Sequence, residues 1–519
     1  MLNINTDNIT ESYEEFRLRT KDDKSFAVTG LTSLLRIFLL SKISSYSKKK
    51  VLFITSTEQN ALKYQSDLNT AFEVNSSIMP FQNISMYETI TPNLYDYSEQ
   101  IKILHQKPNI VICPVKAFLE KFPNEDFFKK NSLKIKIGDT IDLKKLSKKL
   151  VALGYKKATM VNDISEFSIR GDIADIFSLD KNPVRIELWG DEVVDIRYFD
   201  NETQKSIEKI KEIKILPIYK FITSAQEEIV KSLQQKDDDS FDDNEIPEEN
   251  YFEGIEVYQN YFNKNLVGIL DYFKDYTIVF DETTEIYSKY EFLNDNLEKQ
   301  LQENLKLNLI KQIEGKNHFT FEEFLRQTSY FVKIGFNNFI DGNMGDLIEF
   351  NAQPLRNFEA DFDNISSFIK EHNDYKIIMA TDYPERVKEI LTDKDIFNVE
   401  YSDSIVCGGC ILEDFKTIVF TDRELFNKRS KEITSTKKSY YKEKPEYIEN
   451  INDIKVGEYV VHTIHGLGIY KGLSKQEIDG QLKDYLTIEY ANKDRLHIPA
   501  EQINLLCRYR GSGSVKPKL

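Results

Sequence analysis

The sequence predicts a multidomain α/β protein that ends in a small, strongly bent β-barrel. Three observations lead there. At 519 residues the chain is too long for one core and should divide into about three to five domains. Its first third and several later stretches alternate short apolar strands with helical apolar spacing, the pattern of a parallel sheet covered by helices. From about residue 451 onward, short β-rich runs broken by glycine replace that alternation.

Taken in order, "SFAVTG" (25–30) reads as a strand ending in glycine and "LTSLLRIFLLSKI" (31–43) as a helix. "KVLFIT" (50–55) is a second strand, followed by the helix "STEQNALKYQSDL" with Ser56 or Thr57 as its N-cap. "NIVICP" (109–114) leads into a helical "VKAFLEKF". From about residue 131 the period changes: "LKIKIGDTIDLKKLSKKLVALGY" is a strand, a turn and a helix closing on Gly154, and alternating strands follow. The α/β pattern returns in "YTIVFDE" (276–282), "YKIIMATDYPERVKEIL" (375–391) and "KTIVFTDRELF" (416–426). In the last part, Asp479-Gly480 and Asn492-Lys493-Asp494 separate strand patterns, and Asp-Gly in that place signals a hairpin.

Composition excludes several classes. No run of about eighteen apolar residues offers a membrane span, and "MLNINTDNITESYEEF" lacks the basic-then-apolar order of a secretory signal. Four cysteines in a chain of this length fit a reducing cytoplasm. A net charge of −16 argues against a nonspecific nucleic-acid binder, because phosphate contacts need clustered cations. The acidic run "DDDSFDDNEIPEE" (237–249), part of an acidic loop over 236–249, and the lysine-rich "KRSKEITSTKKSYYKEKPEY" (428–447) read as a solvated loop and a linker.

No catalytic or metal constellation emerges. A phosphate-binding loop needs a glycine-rich turn, a lysine for the β- and γ-phosphates and a Ser/Thr for magnesium. The junction Gly30-Leu31-Thr32-Ser33-Leu34-Leu35-Arg36 lacks the second glycine and the lysine, and no G-K-[ST] occurs in the chain. Asp281-Glu282 resembles the acidic pair of a nucleotide hydrolase without a partner loop. Cys407 and Cys410 in "CGGC" have thiol-pair spacing but no second pair near in sequence, and they read as reduced cysteines by a glycine turn. His462 and His465, with His497 and Cys507 later, read as turn-flanking residues and not as zinc ligands.

What remains is binding surface. In "VRIELWG", Val184, Ile186 and Leu188 alternate inward, leaving Arg185, Glu187 and Trp189, the only tryptophan, on the opposite face. Gly190-Asp191 can turn the chain so that Arg197 rises on the returning strand, and in "EFSIRG" Arg170 faces away from Phe167 and Ile169. An exposed tryptophan among arginines has the composition of a protein-binding hot spot; the competing reading is a core-edge cap with arginines paired to nearby acids.

On those residues the chain resembles a known family. "LSKKLVALGYKKATMVNDISEFSIRGDIADIF" with "PVRIELWGDEVVDIRYFDNETQKS" resembles the module shared by the excision-repair protein UvrB and the bacterial transcription-repair coupling factors (Mfd). "VGEYVVHTIHGLGIYKGL" with "DYLTIEYANKDRLHIPAEQINLLCRY" is similar to the polymerase-interacting domain of the latter, related to CarD-type regulators. The resemblance implies a degenerate RecA/helicase-like, UvrB-like domain in two parts (1–129 and 218–348) around an inserted α+β domain (130–217). A small α/β domain (349–427), a linker (428–450) and an SH3/Tudor-like β-barrel (451–519) would follow.

By the same resemblance, UvrA docks on Arg170, Arg185 and Trp189. The RNA polymerase β subunit adds to an edge strand of the barrel, formed by Ile469, Tyr470, Lys471, Gly472, Leu473, Ser474, Lys475, Gln476, Glu477 and Ile478. No cofactor is expected here. ATP and magnesium belong to later motor domains, which would also make most contacts to double-stranded DNA, and the chain ends at "KPKL" before them. Two other classes stand beside this expectation: a nucleic-acid-dependent ATPase with an unorthodox loop at Thr32 and Ser33, and a CarD-like transcription regulator that does not bind UvrA.

Overall fold

A computed structural model describes the chain except residues 1, 5, 7–9, 48, 83–86, 88–92, 181, 202, 224–253, 312, 314, 339–345, 403–407, 428–454, 463–465, 479–480, 491–494, 500–505 and 509–519. The acidic loop and the linker fall outside the described residues. The chain divides into two compact units, Met1–Ile433 and Thr434–Leu519.

Seven strands form the central sheet of the first unit, in the order Asp346–Glu349, Phe26–Thr29, Lys333–Phe336, Tyr276–Asp281, Lys50–Thr55, Ile110–Pro114, Ser76–Ile78. Every neighbouring pair is parallel. Strands such as Ile110–Pro114 are buried at every residue, as their unbroken apolar runs require. Alternation sorts their side chains: Leu52, Ile54, Val111 and Ile278 enter one core, while Val51, Phe53, Ile112 and Val279 enter another. The first core continues into Phe167, Ile176, Ile186 and Ile196 of the insert, the second into Ile378, Cys410 and Val419 of the small α/β domain.

The helix Ser33–Tyr46 is apolar on most sides and buried accordingly, with Thr32 capping it by accepting from the Leu35 N–H. Thr57, not Ser56, caps Glu58–Ala71. "VKAFLEKF" corrects the expected helix: Val115–Leu119 is a short 3-10 turn, because Pro123 and the strand Phe122–Pro123 end it at once.

The insert enters on Leu133–Lys136 and leaves on Glu212–Ile215, and these two strands pair antiparallel. Its helix Leu143–Ala152 starts at Asp142, whose carboxylate accepts the Lys144 and Lys145 N–H groups at 2.8 and 3.2 Å. The helix closes at Gly154, where φ is +91° and a Cβ would lie 2.6 Å from the Tyr219 ring. A six-stranded sheet then runs in chain order from Lys156–Lys157 to Ser206–Lys209, antiparallel after its first pair. The small α/β domain is a mixed sheet in the order Ala352–Pro354, Cys410–Leu412, Thr417–Thr421, Lys376–Ala380, Val399–Ser402.

The second unit is a five-stranded antiparallel sheet in the order Arg495–Pro499, Gln481–Glu489, Gly466–Ile478, Tyr459–His462, Leu506–Arg508. Ile478 pairs with Gln481, so the strands flank the expected Asp479-Gly480 hairpin, whose own two residues lie outside the description. Closure of this sheet into a barrel is not among its described pairings.

At the C-terminal end of the parallel strands lies a buried charge cluster. Arg36, 5% exposed, reaches Asp281 at 2.5 Å and also pairs with Glu282, while Asn338 accepts from it at 2.8 Å. Tyr64 donates its hydroxyl to Asp281 at 3.1 Å. Burial alone would lower the pKa of Arg36, but the charges of Asp281 and Glu282 outweigh it and hold the guanidinium above its ordinary range. Removing one member of a buried pair strands the other's charge. Arg36→Ala is therefore expected to destabilise the first unit by about 3–5 kcal/mol, read as a drop in the denaturant midpoint; an unchanged midpoint would contradict the cluster's role.

His318 is fully buried, with Nδ1 2.8 Å from the Tyr87 hydroxyl. Burial, reinforced by Lys316, lowers its pKa to about 4. The unfolded chain, with an imidazole near the usual value of about 6.5, then binds more protons between the two values. Its contribution is complete above about pH 6.5 and is lost as pH falls toward 4, up to about 3 kcal/mol. His318→Asn should flatten that part of the stability–pH curve; curves of equal slope for both proteins would refute it.

Candidate partner-binding faces

The strand Val184–Trp189 lies inside the six-stranded sheet and alternates as its sequence requires. Val184, Ile186 and Leu188 are buried, and Trp189 is 82% exposed. Trp189 stands opposite Glu192 across a turn in which Gly190 takes φ +65°, a left-handed value that favours glycine. The register slips between Glu187 and Leu188, a bulge that sharpens the twist at this end of the hairpin. Val194, beside it, is also exposed.

The two predicted arginines meet on one buried acid. Asp175, 1% exposed, accepts from Arg185 Nε at 2.7 Å and Nη2 at 2.9 Å, and from Arg170 Nη2 at 2.8 Å. Arg185 lies 4.5 Å above the Phe199 ring and also donates to Gln204 at 3.0 Å. The hydrogen bonds to Asp175 hold its guanidinium above the ordinary arginine range. Arg170 is half exposed. Arg197 is the direct cross-strand partner of Arg185 and bridges Glu187 and Asp195, with Lys209 2.8 Å from Asp195 beyond it. The pairing reading therefore holds for the arginines and the exposed reading for the indole. Trp189 is four residues along the strand from Arg185, about 13 Å away at ordinary strand rise.

Two details escaped the sequence reading. Asp175 sits between buried Ala174 and Ile176, on the face of Arg185; the signal was an acid placed by alternation opposite an arginine. Ser168, two residues before Arg170 and so on the same face, is buried there and donates to the Thr159 carbonyl at 3.0 Å.

The predicted edge strand needs a correction. Gly466–Ile478 lies in the middle of its sheet, and Ile469 pairs with both Tyr459 and Glu489. Tyr470 likewise donates to Glu458 on one side and is in register with Ile488 on the other. Among the described residues the neighbouring strand stops there, and no pairing on that side is described from Lys471 onward. A bulge at that point turns the strand, with Gly472 at φ +111°. From Gly472 to Ile478 the described pairing is with Gln481–Glu489 alone. Counting back from the hairpin-closing pair Ile478–Gln481, alternation turns the N–H and C=O groups of Leu473, Lys475 and Glu477 toward the side that has no partner among the described residues. Leu473 is 52% exposed.

The degenerate loop is filled by protein. At Gly30, φ is +71° and a Cβ would fall 1.8 Å from the Phe350 carbonyl, so the glycine serves a backbone crossing. Thr32 caps its helix, and Ser33 Oγ is 3.3 Å from Lys63 Nζ. A cleft of about 280 Å³ remains beside them, bordered by Arg423 and Glu424. Arg36 sits against the acidic pair where a hydrolase would hold a cation. Cys407 and His465 lie outside the described residues. Cys410 is buried, which raises its thiol pKa to about 12. His497 Nδ1 contacts Thr487 at 3.1 Å, and among the described residues no group of three or more potential metal ligands assembles. Nor, among those residues, is any helix long and apolar enough to cross a membrane.

Comparison with known proteins follows the same division. Residues 133–221 match the UvrB interaction domain, and residues 454–510 match the CarD-like/TRCF RID domain. The transcription-repair-coupling factor of Staphylococcus haemolyticus is 26% identical over 550 residues, covering 96% of this chain and 46% of the relative. Those of Staphylococcus aureus (strain bovine RF122) and Staphylococcus epidermidis are each 26% identical, covering 95% and 96% of this chain and 46% of their own length. The chain thus spans about half the length of the curated relatives it matches. Along almost its whole length the chain is similar to transcription-repair-coupling factors, and it carries the matches to the UvrB interaction domain and to the CarD-like/TRCF RID domain in one polypeptide.

Proposed function

We propose that this chain is the partner-binding region of a transcription-coupled DNA repair factor: it holds stalled RNA polymerase through the second unit and recruits UvrA through the insert. The observation that carries this reading is Trp189, 82% exposed on the strand that also carries the oriented Arg185, in a domain that matches the UvrB interaction domain. The indole supplies a large apolar anchor and Arg170 a half-exposed charge, the residue types that dominate protein interfaces. In the second unit, the outward backbone groups of Leu473, Lys475 and Glu477 can pair with a strand of the polymerase β subunit, a mode in which the main chain supplies the affinity. The parallel sheet fits a RecA-like ancestry, and the five antiparallel strands fit a small SH3/Tudor-like barrel.

These residues are read as non-enzymatic, since Arg36 occupies the acidic pair and the loop at Gly30 packs on the chain itself. ATP, magnesium and most double-stranded DNA contact would belong to motor domains of the whole protein, which would displace polymerase by translocation in the cytoplasm.

Binding assays against UvrA and the polymerase β subunit separately test the reading. Arg185→Ala with Trp189→Ala should weaken UvrA binding by about 2–4 kcal/mol, and unchanged affinity would remove the docking face. Lys475→Pro takes away one outward N–H while leaving the pairing to Gln481–Glu489 intact. It should abolish β-subunit binding without unfolding the sheet by circular dichroism; normal binding would exclude strand addition. Polymerase binding without any UvrA binding would instead identify a CarD-like regulator.

A further inference from the structure

We infer that Asp175 is the positioning residue of the docking face, a buried carboxylate that sets the direction of both arginines at once. The inference rests on the UvrA-docking reading and adds a residue that makes no contact with the partner itself. Asp175 is 1% exposed and lies beneath the face, on the strand next to Arg185 and directly across from it. Both oxygens are engaged from above, one by Arg185 Nε and the other by Arg185 Nη2 and Arg170 Nη2.

This geometry fixes orientation as well as charge. An arginine gripped along its Nε–Nη2 edge has one planar setting, and its Nη1 edge is turned away from the acid; no described group takes Arg185 Nη1. The Phe199 ring 4.5 Å below and the Gln204 side-chain Oε1, which accepts from Nη2 at 3.0 Å, complete the clamp. Arg170, on a different strand, shares the same carboxylate, so its exposed head is tied to Arg185. A free arginine loses rotamer freedom when it binds; one already held loses less, and preorganisation of this kind raises affinity without new contacts. The other acids of the face do not duplicate the role, because Glu187 and Asp195 are paired with Arg197.

A thermodynamic cycle tests this with the chain as it stands. UvrA affinity is measured for the parent, Asp175→Asn, Arg170→Ala/Arg185→Ala and the triple variant, with circular dichroism to confirm folding and Trp189→Ala as reference. A residue acting through the arginines should lower affinity about tenfold in the parent and have almost no effect once they are gone, since groups in one network are coupled. A merely structural role would give the same loss in both backgrounds, and that outcome overturns the proposal. So does an unaltered affinity of Asp175→Asn while the arginine pair and Trp189→Ala weaken binding. If the arginine and tryptophan variants all bind UvrA normally, the docking reading itself has failed, and the inference with it. Asp175→Glu, which keeps the charge but moves it by one methylene, is taken through the same cycle should the asparagine variant not fold.

Discussion

A parallel sheet buried on both faces can leave neither of them to water, and the first unit is organised around that requirement. Its strands read as continuous apolar runs because every residue has a core to enter, and alternation sends successive side chains to opposite sides. Helices cover both sides, and the two cores run on beyond them, one into the insert and the other into the small α/β domain. Each added domain packs its inner surface into one of these cores and leaves its outer surface for other uses. The insert shows this most clearly: Val184, Ile186 and Leu188 join the common core, while Arg185 and Trp189, one residue out of phase, face away from it.

The buried guanidinium of Arg36 acts at the other end of the same sheet. In a nucleotide-binding relative of this architecture, acids at the strand ends face a bound cation. Here the cation is a side chain, supplied from the helix after the first strand and locked to Asp281 and Glu282. The lobe is thereby held together from within, and its shape does not wait for a ligand. Such a lobe suits the partner-binding role proposed for the chain.

Much of this was legible in the sequence. Strand positions at 50–55 and 276–281, a cap at one of Ser56 and Thr57, the closing glycine at 154 and the hairpin flanking Asp479-Gly480 follow from local patterns that tertiary packing did not override. Alternation placed the indole on the outer face but left open whether it was exposed or capped the core edge; its 82% exposure decides between them. What could not be read depended on contacts distant in sequence. The Arg36 pairing spans 245 residues, and nothing near Arg36 announces it. The end of described pairing after Tyr470 depends on where the strand Tyr459–His462 stops, and the bulge at Lys471 becomes visible only once both partners of the strand are placed. Asp175 lies between these cases: its face could be predicted, but sharing by two arginines required three strands in register.

The neck of the insert carries one more consequence. Because Leu133–Lys136 and Glu212–Ile215 lie side by side, the polypeptide leaves the scaffold and returns to it almost at the same point. Such a module can be gained, lost or exchanged between otherwise different hosts without rethreading the sheet beneath. Descent can therefore treat it as a cassette, with its own history and its own pace of change.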